Sequence, residues 1–126
     1  MLKKTIKYTD YNGTERTEDF YFNLTKAEIL EMEASVFGGL SSVLTKIISS
    51  NDQPKIMAQF KYIVHKAYGE KSEDGRRFVK SDELSTMFEQ TPAYEELFME
   101  LLTDETKAAE FINSIMPKVD GVTATK

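Results

Sequence analysis

The chain has no cysteine and no tryptophan, only three prolines, and a single histidine in 126 residues. Without cysteine there are no disulfides, no thiolate nucleophile and no Cys-ligated zinc. That usage fits a reducing compartment. One histidine, His65, cannot build a metal site by itself, and no Ser sits in a nucleophile motif. His65 lies one step off an apolar stripe and reads as a half-exposed surface residue. The acid pairs Glu31/Glu33 and Glu95/Glu96 are close in sequence but diverge around a helix, so they read as solvated faces. The residues therefore assign no catalytic, cofactor-binding or metal-binding side chain, and the chain reads as non-enzymatic.

A broad basic face is also lacking. Lys and Arg number 16 against 21 Asp and Glu, for a net charge of −5. The basic patches, Lys3, Lys4, Lys7 and Arg76, Arg77, Lys80, are small. Phosphate neutralisation supplies most of the affinity of a nucleic-acid binder, so none is expected here. No apolar run approaches the roughly 20 residues that span a bilayer. The N-terminus, "MLKKTIKYTD", lacks the apolar stretch of a signal peptide. The expectation is a soluble intracellular protein with no membrane partner.

What is present is enough for one core. Apolar residues make up 40%, and eight Phe and six Tyr bring large buried areas. Residues 1–24 read as a β-hairpin. Leu2, Ile6 and Tyr8 alternate on one strand and Phe20, Phe22 and Leu24 follow the second. Two registers compete. A two-residue turn at Asn12-Gly13 throws Phe20 onto the wrong face. A type I turn at Tyr11-Asn12 with Gly13 as a left-handed bulge pairs Asp10 with Thr14, Leu2 with Phe22 and Tyr8 with Arg16. Burial favours the second, because a one-residue slip turns every side chain over.

From Thr25 the period turns helical. Thr25-Lys26-Ala27-Glu28 is a capping box, with Leu24 and Ile29 as its staple. That helix is expected to reach about residue 37 and stop at Gly38-Gly39. Leu40, Val43, Leu44, Ile47 and Ile48 form the next stripe. Asp52 and Pro54 open a third helix whose stripe is Ile56, Phe60, Ile63, Val64 and Ala67, closed by Tyr68-Gly69. Ser81 caps a short helix with Leu84, Met87 and Phe88. Thr91 and Pro92 open one carrying Tyr94, Leu97, Phe98, Leu101 and Leu102. Thr103 is expected to cap the last, with Ala108, Phe111, Ile112, Ile115 and Met116, ended by Pro117. The fold class is α+β and mostly helical: a hairpin, then a bundle of about five to six helices. Residues 1–117 read as one domain (hairpin 1–24, bundle 25–117) and 118–126 as a flexible tail.

The stretch "YGEKSEDGRRFVKSDELS" is the least apolar part of the chain. Aligning Gly75 with the invariant glycine of an EF-hand leaves Glu70 first and Ser81 last, so the closing bidentate Glu is missing. One glycine is too few for a phosphate cradle. A connector built on an Asp74-Gly75 turn, either a plain turn or a small second hairpin with Phe78 and Val79 packing inward, remains open beside a partner-recognition loop. The six methionines, including Met32, Met57, Met87 and Met99, fit either core filling or an adaptable binding face. The hairpin edge is a site for strand addition unless covered.

The segments "KTIKYTDYNGTERTEDFYFNLTKAEILEME", "GEKSEDGRRFVKSDE" and "YEELFMELLTDETKAAEFINSIMP" resemble the tail assembly chaperones of long-tailed phages and prophages of Gram-positive bacteria. The resemblance extends over nearly all residues up to Pro117. It implies a non-enzymatic helical protein without cofactors, made in the host cytoplasm and absent from the mature virion. Such a protein binds the tape measure protein, keeps it soluble and helps the tail tube protein polymerise around it. A small acidic protein able to self-associate suits that task, since an apolar-faced tape measure would otherwise aggregate. The expected partner-binding residues are Arg76, Arg77 and Phe78 in the loop, and Met87, Phe88, Tyr94 and Phe98 in the helices of residues 84–98, together with the hairpin edge. A structural tail or head–tail protein, or a regulatory adaptor for a host enzyme, are the rival readings.

Overall fold

The computed structural model describes residues 1–33 and 53–117. Strands β1 (Leu2–Thr9) and β2 (Glu15–Phe22) form the hairpin. Leu2 lies opposite Phe22 and Tyr8 opposite Arg16. At the turn, Gly13 N–H donates to Asp10 O at 2.9 Å, Asp10 N–H to Thr14 O at 2.8 Å, and Gly13 has φ +83°. This is the bulged register, chosen because it puts Ile6, Phe20 and Phe22 on one side. Asp10 adds a local reason: its Oδ1 accepts from Asn12 N–H and Thr14 N–H, both at 2.9 Å.

Helix α1 (Lys26–Glu33) opens on the capping box. Thr25 N–H donates to Glu28 Oε1 at 2.8 Å and Glu28 N–H to Thr25 Oγ1 at 3.1 Å. Leu24 is buried and Ile29 packs against the same core. The expected stop at Gly38-Gly39, the stripe of residues 40–48, the Asp52 cap and the polar tail lie outside the described residues. Helix α2 (Gln53–Ala67) buries all five stripe residues, Ile56, Phe60, Ile63, Val64 and Ala67.

Beyond Ala67 the chain passes straight into β3 (Tyr68–Lys71), and β4 (Phe78–Val79) returns antiparallel to it. β3 also pairs with β2 through Tyr21–Gly69 and Phe22–Tyr68. The hairpin is thus extended into a four-stranded sheet in the order β1-β2-β3-β4. An isolated hairpin is marginal, and this pairing supplies further strands.

Helices α3 (Asp82–Glu89), α4 (Pro92–Thr103) and α5 (Glu105–Ile115) complete the described residues. Ser81 Oγ accepts from Leu84 N–H at 3.0 Å and Thr91 Oγ1 from Tyr94 N–H at 3.3 Å, as expected of caps. The third cap differs. Thr103 is the last residue of α4, and its hydroxyl donates to Met99 O at 2.8 Å. Asp104 is the cap of α5, accepting from Lys107 N–H at 3.1 Å. A carboxylate at a helix N-terminus also meets the positive end of its dipole, which a hydroxyl does not. Met116 is extended ahead of Pro117, which ends α5.

One apolar cluster joins the elements, from Ile6 and Phe22 through Phe60, Phe88 and Leu97 to Phe111 and Ile115. Rings organise its sheet side. Phe22 meets Tyr68, Phe88 and Phe111 with centroids 5.8, 5.7 and 5.3 Å away. Lys4 points to the same side as Ile6 and pairs with Glu100 of α4, which sets α4 against that face of β1.

Candidate partner-binding surface

The loop between α2 and α3 is built by its own side chains. Ser72 N–H donates to Arg77 O and Gly75 N–H to Ser72 O, both at 2.9 Å, with Gly75 at φ +76°. Asp74 Oδ1 accepts from Arg76 N–H at 3.0 Å and from Ser72 Oγ at 2.7 Å. These bonds hold the Asp74 carboxyl below its ordinary range. The Asp-Gly turn expected from sequence is therefore a closed hairpin tip, and it displays Arg76 and Arg77 to solvent. Phe78 is half-buried. Its ring lies over Gly69, where an added Cβ would come within 2.6 Å of the ring. Val79, expected to pack inward, is an exposed large apolar residue instead.

Lys80 fastens the end of this hairpin. Its ammonium donates to Asn23 O at 2.5 Å and to both Glu28 oxygens at 2.8 Å. Burial pushes Lys80 down, against the pull of Glu28. Burial likewise raises Glu28, but its bonds to Lys80 and Thr25 outweigh that and leave it below the usual value. Both values fall, which favours the charged form of Glu28 but the neutral form of Lys80. The geometry decides for the charged form, since three acceptors surround one ammonium. The capping carboxylate of α1 thus also anchors the loop.

The helical candidates divide. Met87 is 57% exposed, and Met99 and Met57 are also exposed, so these three do not fill the core. Tyr94 and Phe98 are half-buried and stack with centroids 5.6 Å apart. Burial, helped by Glu89, pushes the Tyr94 hydroxyl up to about 12, so it stays neutral. Phe88 is 3% exposed. It is a core residue, ringed by Phe20, Phe22, Tyr68 and Tyr94, and offers no surface to a partner. The reason is the phase of α3: Ser85 and Phe88 face inward, which turns Met87 out.

His65 is tied more closely than a surface residue need be. Its Nδ1 lies 2.8 Å from Glu89 Oε2 and its Nε2 3.0 Å from Asp82 Oδ1. Beside them, Ser85 Oγ donates to His65 O at 2.7 Å, locking α2 to α3. Sequence spacing gave one signal: Asp82 and Glu89 are two turns apart on one helix face. A neutral imidazole can donate from only one nitrogen, so two carboxylates select the imidazolium. Burial opposes the charge most, but the two carboxylates together outweigh it, and the pKa is raised. Asp82 is almost fully exposed, so Glu89 holds more of the effect against solvent screening. The sign follows. A raised folded pKa gives stability that is complete below the unfolded value of about 6.5 and is lost as pH rises through the folded one. Denaturant midpoints of the wild type and His65→Gln should therefore differ most near pH 6 and converge toward about pH 9. A gap that stays constant would show that the imidazolium contributes nothing.

Around His65, Lys61, Tyr62, Lys66, Glu89 and Tyr94 line an open cleft of about 320 Å³. Among the described residues no cluster of three or more His, Asp or Glu is placed to hold a metal ion. No helix of the described residues is long and apolar enough to cross a membrane.

What the surface offers is an arginine-tipped hairpin and exposed methionines beside half-buried rings, which is the chemistry of protein contact. No curated protein and no solved structure gives a significant match to the chain. A family model described as phage tail assembly chaperone matches residues 1–120, which is nearly the whole length, and the chain belongs to that family.

Proposed function

We propose that the protein is a non-enzymatic tail assembly chaperone that binds the tape measure protein, keeps it soluble and assists polymerisation of the tail tube protein. The reading rests on the family match over residues 1–120. It is supported by one feature of the surface: Met87, Met99 and Met57 stand exposed on helices, where a flexible thioether can fit an apolar helix of varied sequence. Arg76, Arg77 and Phe78 supply a second contact, a polar loop on a rigid sheet. Tyr94 and Phe98 add half-buried rings that stack on each other and pack against the core. The work is done in the host cytoplasm, and the protein leaves before the virion is complete.

Co-expression tests it. The tape measure protein should be recovered soluble with the wild type, and less so with Met87→Asp/Met99→Asp or with Arg76→Glu/Arg77→Glu. Truncation of single hot-spot contacts typically costs more than about 1 kcal/mol, or roughly fivefold in affinity. A tape measure that is no more soluble with this protein than alone sinks the reading. Mass spectrometry of purified particles should find no copies, whereas a structural tail protein would be present.

A further inference from the structure

Helix α2 carries Lys55, Lys61, His65 and Lys66 and no acid, in a chain whose net charge is −5. Residues 61 and 65, and 62 and 66, are one turn apart and stand in neighbouring rows on one side of α2. The open cleft of about 320 Å³ lies between that side and the junction of α3 with α4, where Glu89 and Tyr94 face it. Two half-buried rings wall it, Tyr62 and Tyr94. Tyr94 is braced by Phe88 and Phe98, with centroids 5.7 and 5.6 Å away. The Lys66 ammonium lies 6.0 Å from the Tyr62 centroid. The one acid of the lining, Glu89, is already taken by His65 at 2.8 Å. Lys61 and Lys66 are exposed and have no carboxylate partner among the described residues. The uncompensated charge of the cleft is therefore positive.

We propose that this cleft binds an acidic segment of a partner protein, one apolar side chain entering between Tyr62 and Tyr94 and flanking carboxylates meeting Lys61 and Lys66. Size and shape favour a side chain on a passing segment over a free small molecule. The cleft is at the low end of ligand sites, roughly 300–1,000 Å³, and it is too open to enclose a whole ligand. Charge selects an acidic segment, because a carboxylate there neutralises lysines that have no other partner. Nucleic acid fits less well. Asp82 and Glu89 flank His65, so the lysines make no continuous basic track for a phosphate backbone. The packing around Tyr94 fixes its ring before a partner arrives, which lowers the ordering cost of binding. Of the surface proposed above, only Tyr94 lines this cleft. The inference does not rest on the tape measure reading, and it is measured on the purified chain with a peptide.

Amide shifts of the labelled chain, followed by NMR at about pH 6 and low salt, test it. The probe is the blocked tripeptide acetyl-Glu-Leu-Glu-amide. At millimolar concentration it should give saturable shifts confined to residues 61–66 and 89–94. The acetyl-Gln-Leu-Gln-amide peptide, which keeps the leucine, and sodium acetate, which keeps the carboxylate, should each bind at least about fivefold more weakly. Lys61→Glu/Lys66→Glu should lose the acidic peptide by about fivefold or more and prefer acetyl-Lys-Leu-Lys-amide instead. Both lysines are exposed, so the melting midpoint of that variant should stay close to wild type. The proposal is overturned if the acidic peptide gives no saturable shift, or if the glutamine peptide binds equally well. Acetate as good as the peptide would leave an anion site only, and tighter binding of oligothymidylate would assign the cleft to nucleic acid; either result overturns it. So does a charge-reversed variant that keeps its preference for the acidic peptide.

Discussion

Replacing Phe88 with alanine is expected to lower the unfolding free energy by about 3–5 kcal/mol, a large share of what a domain of this size holds. The ring stacks on Tyr68 at 4.4 Å with an interplanar angle of 6°. It also touches Phe20 at 5.1 Å, and Phe22 and Tyr94 at 5.7 Å. Those partners come from β2, β3 and α4, so one side chain joins the hairpin, the strand that extends it and the helical layer. Its loss opens a cavity walled by rings too large to collapse into it. Phe88→Leu keeps most of the volume and forfeits the ring contacts, which are worth roughly 0.5–1.5 kcal/mol per pair. Urea midpoints should rank wild type, then Leu, then Ala. An alanine variant within about 1 kcal/mol of wild type would show that the ring is not a hub. The same series separates folding from binding: Met87→Ala, one residue away and exposed, should leave the midpoint within about 0.5 kcal/mol.

Much of this architecture is legible in the residues, and the exceptions have physical causes. The hairpin register follows from two agreeing constraints, Gly13 at a bulge and the apolar residues on one face. The α1 capping box, the α2 stripe and the Ser81 and Thr91 caps are local chemistry, readable within four residues. The last cap is not so clear, since threonine and aspartate are both favoured at helix N-caps and Thr103 and Asp104 are adjacent. Only the end of α4 decides between them, and helix ends are set by packing. β3 is hidden for a different reason. "YGEK" shows no alternation of its own, and its pairing with Tyr21 and Phe22 joins segments far apart in the chain. No local pattern records such a contact. Phe88 misled because α3 is eight residues long. Leu84, Met87 and Phe88 fit one stripe, yet the packed helix is rotated so that Ser85 takes the inner place of Met87. The Ser85 hydroxyl bond to His65 O makes that rotation acceptable, and hydropathy alone cannot show it. The candidate surface was legible in part for the same reason: Arg76 and Arg77 are exposed by turn chemistry, whereas exposure of a methionine depends on helix phase.

Gly69→Val is expected to lift β4 off the sheet and cost about 2–3 kcal/mol, at the upper end for overpacking. Gly69 is buried between β2 and β4. A Cβ there would lie 2.6 Å from Phe78 Cε2 and 2.8 Å from the carbonyl oxygen of Val79. A ring edge can swing away, but a backbone oxygen in a two-residue strand cannot move without breaking the pairing. The two contacts can be told apart. Adding Phe78→Leu to Gly69→Ala should restore only part of the loss, because the carbonyl contact remains. Full recovery would place the whole conflict in the ring. Limited trypsin digestion reads the local effect, since Arg76 and Arg77 sit at the tip that β4 holds. The Gly69 variants should be cut there faster than wild type, while Met87, Tyr94 and Phe98 keep their places on α3 and α4. Such a variant disorders the loop half of the proposed surface and spares the helical half. If it still keeps the tape measure protein soluble, the arginines are dispensable and the exposed methionines carry the contact. If solubility is lost at a temperature where the variant remains folded, the second hairpin is part of the binding surface.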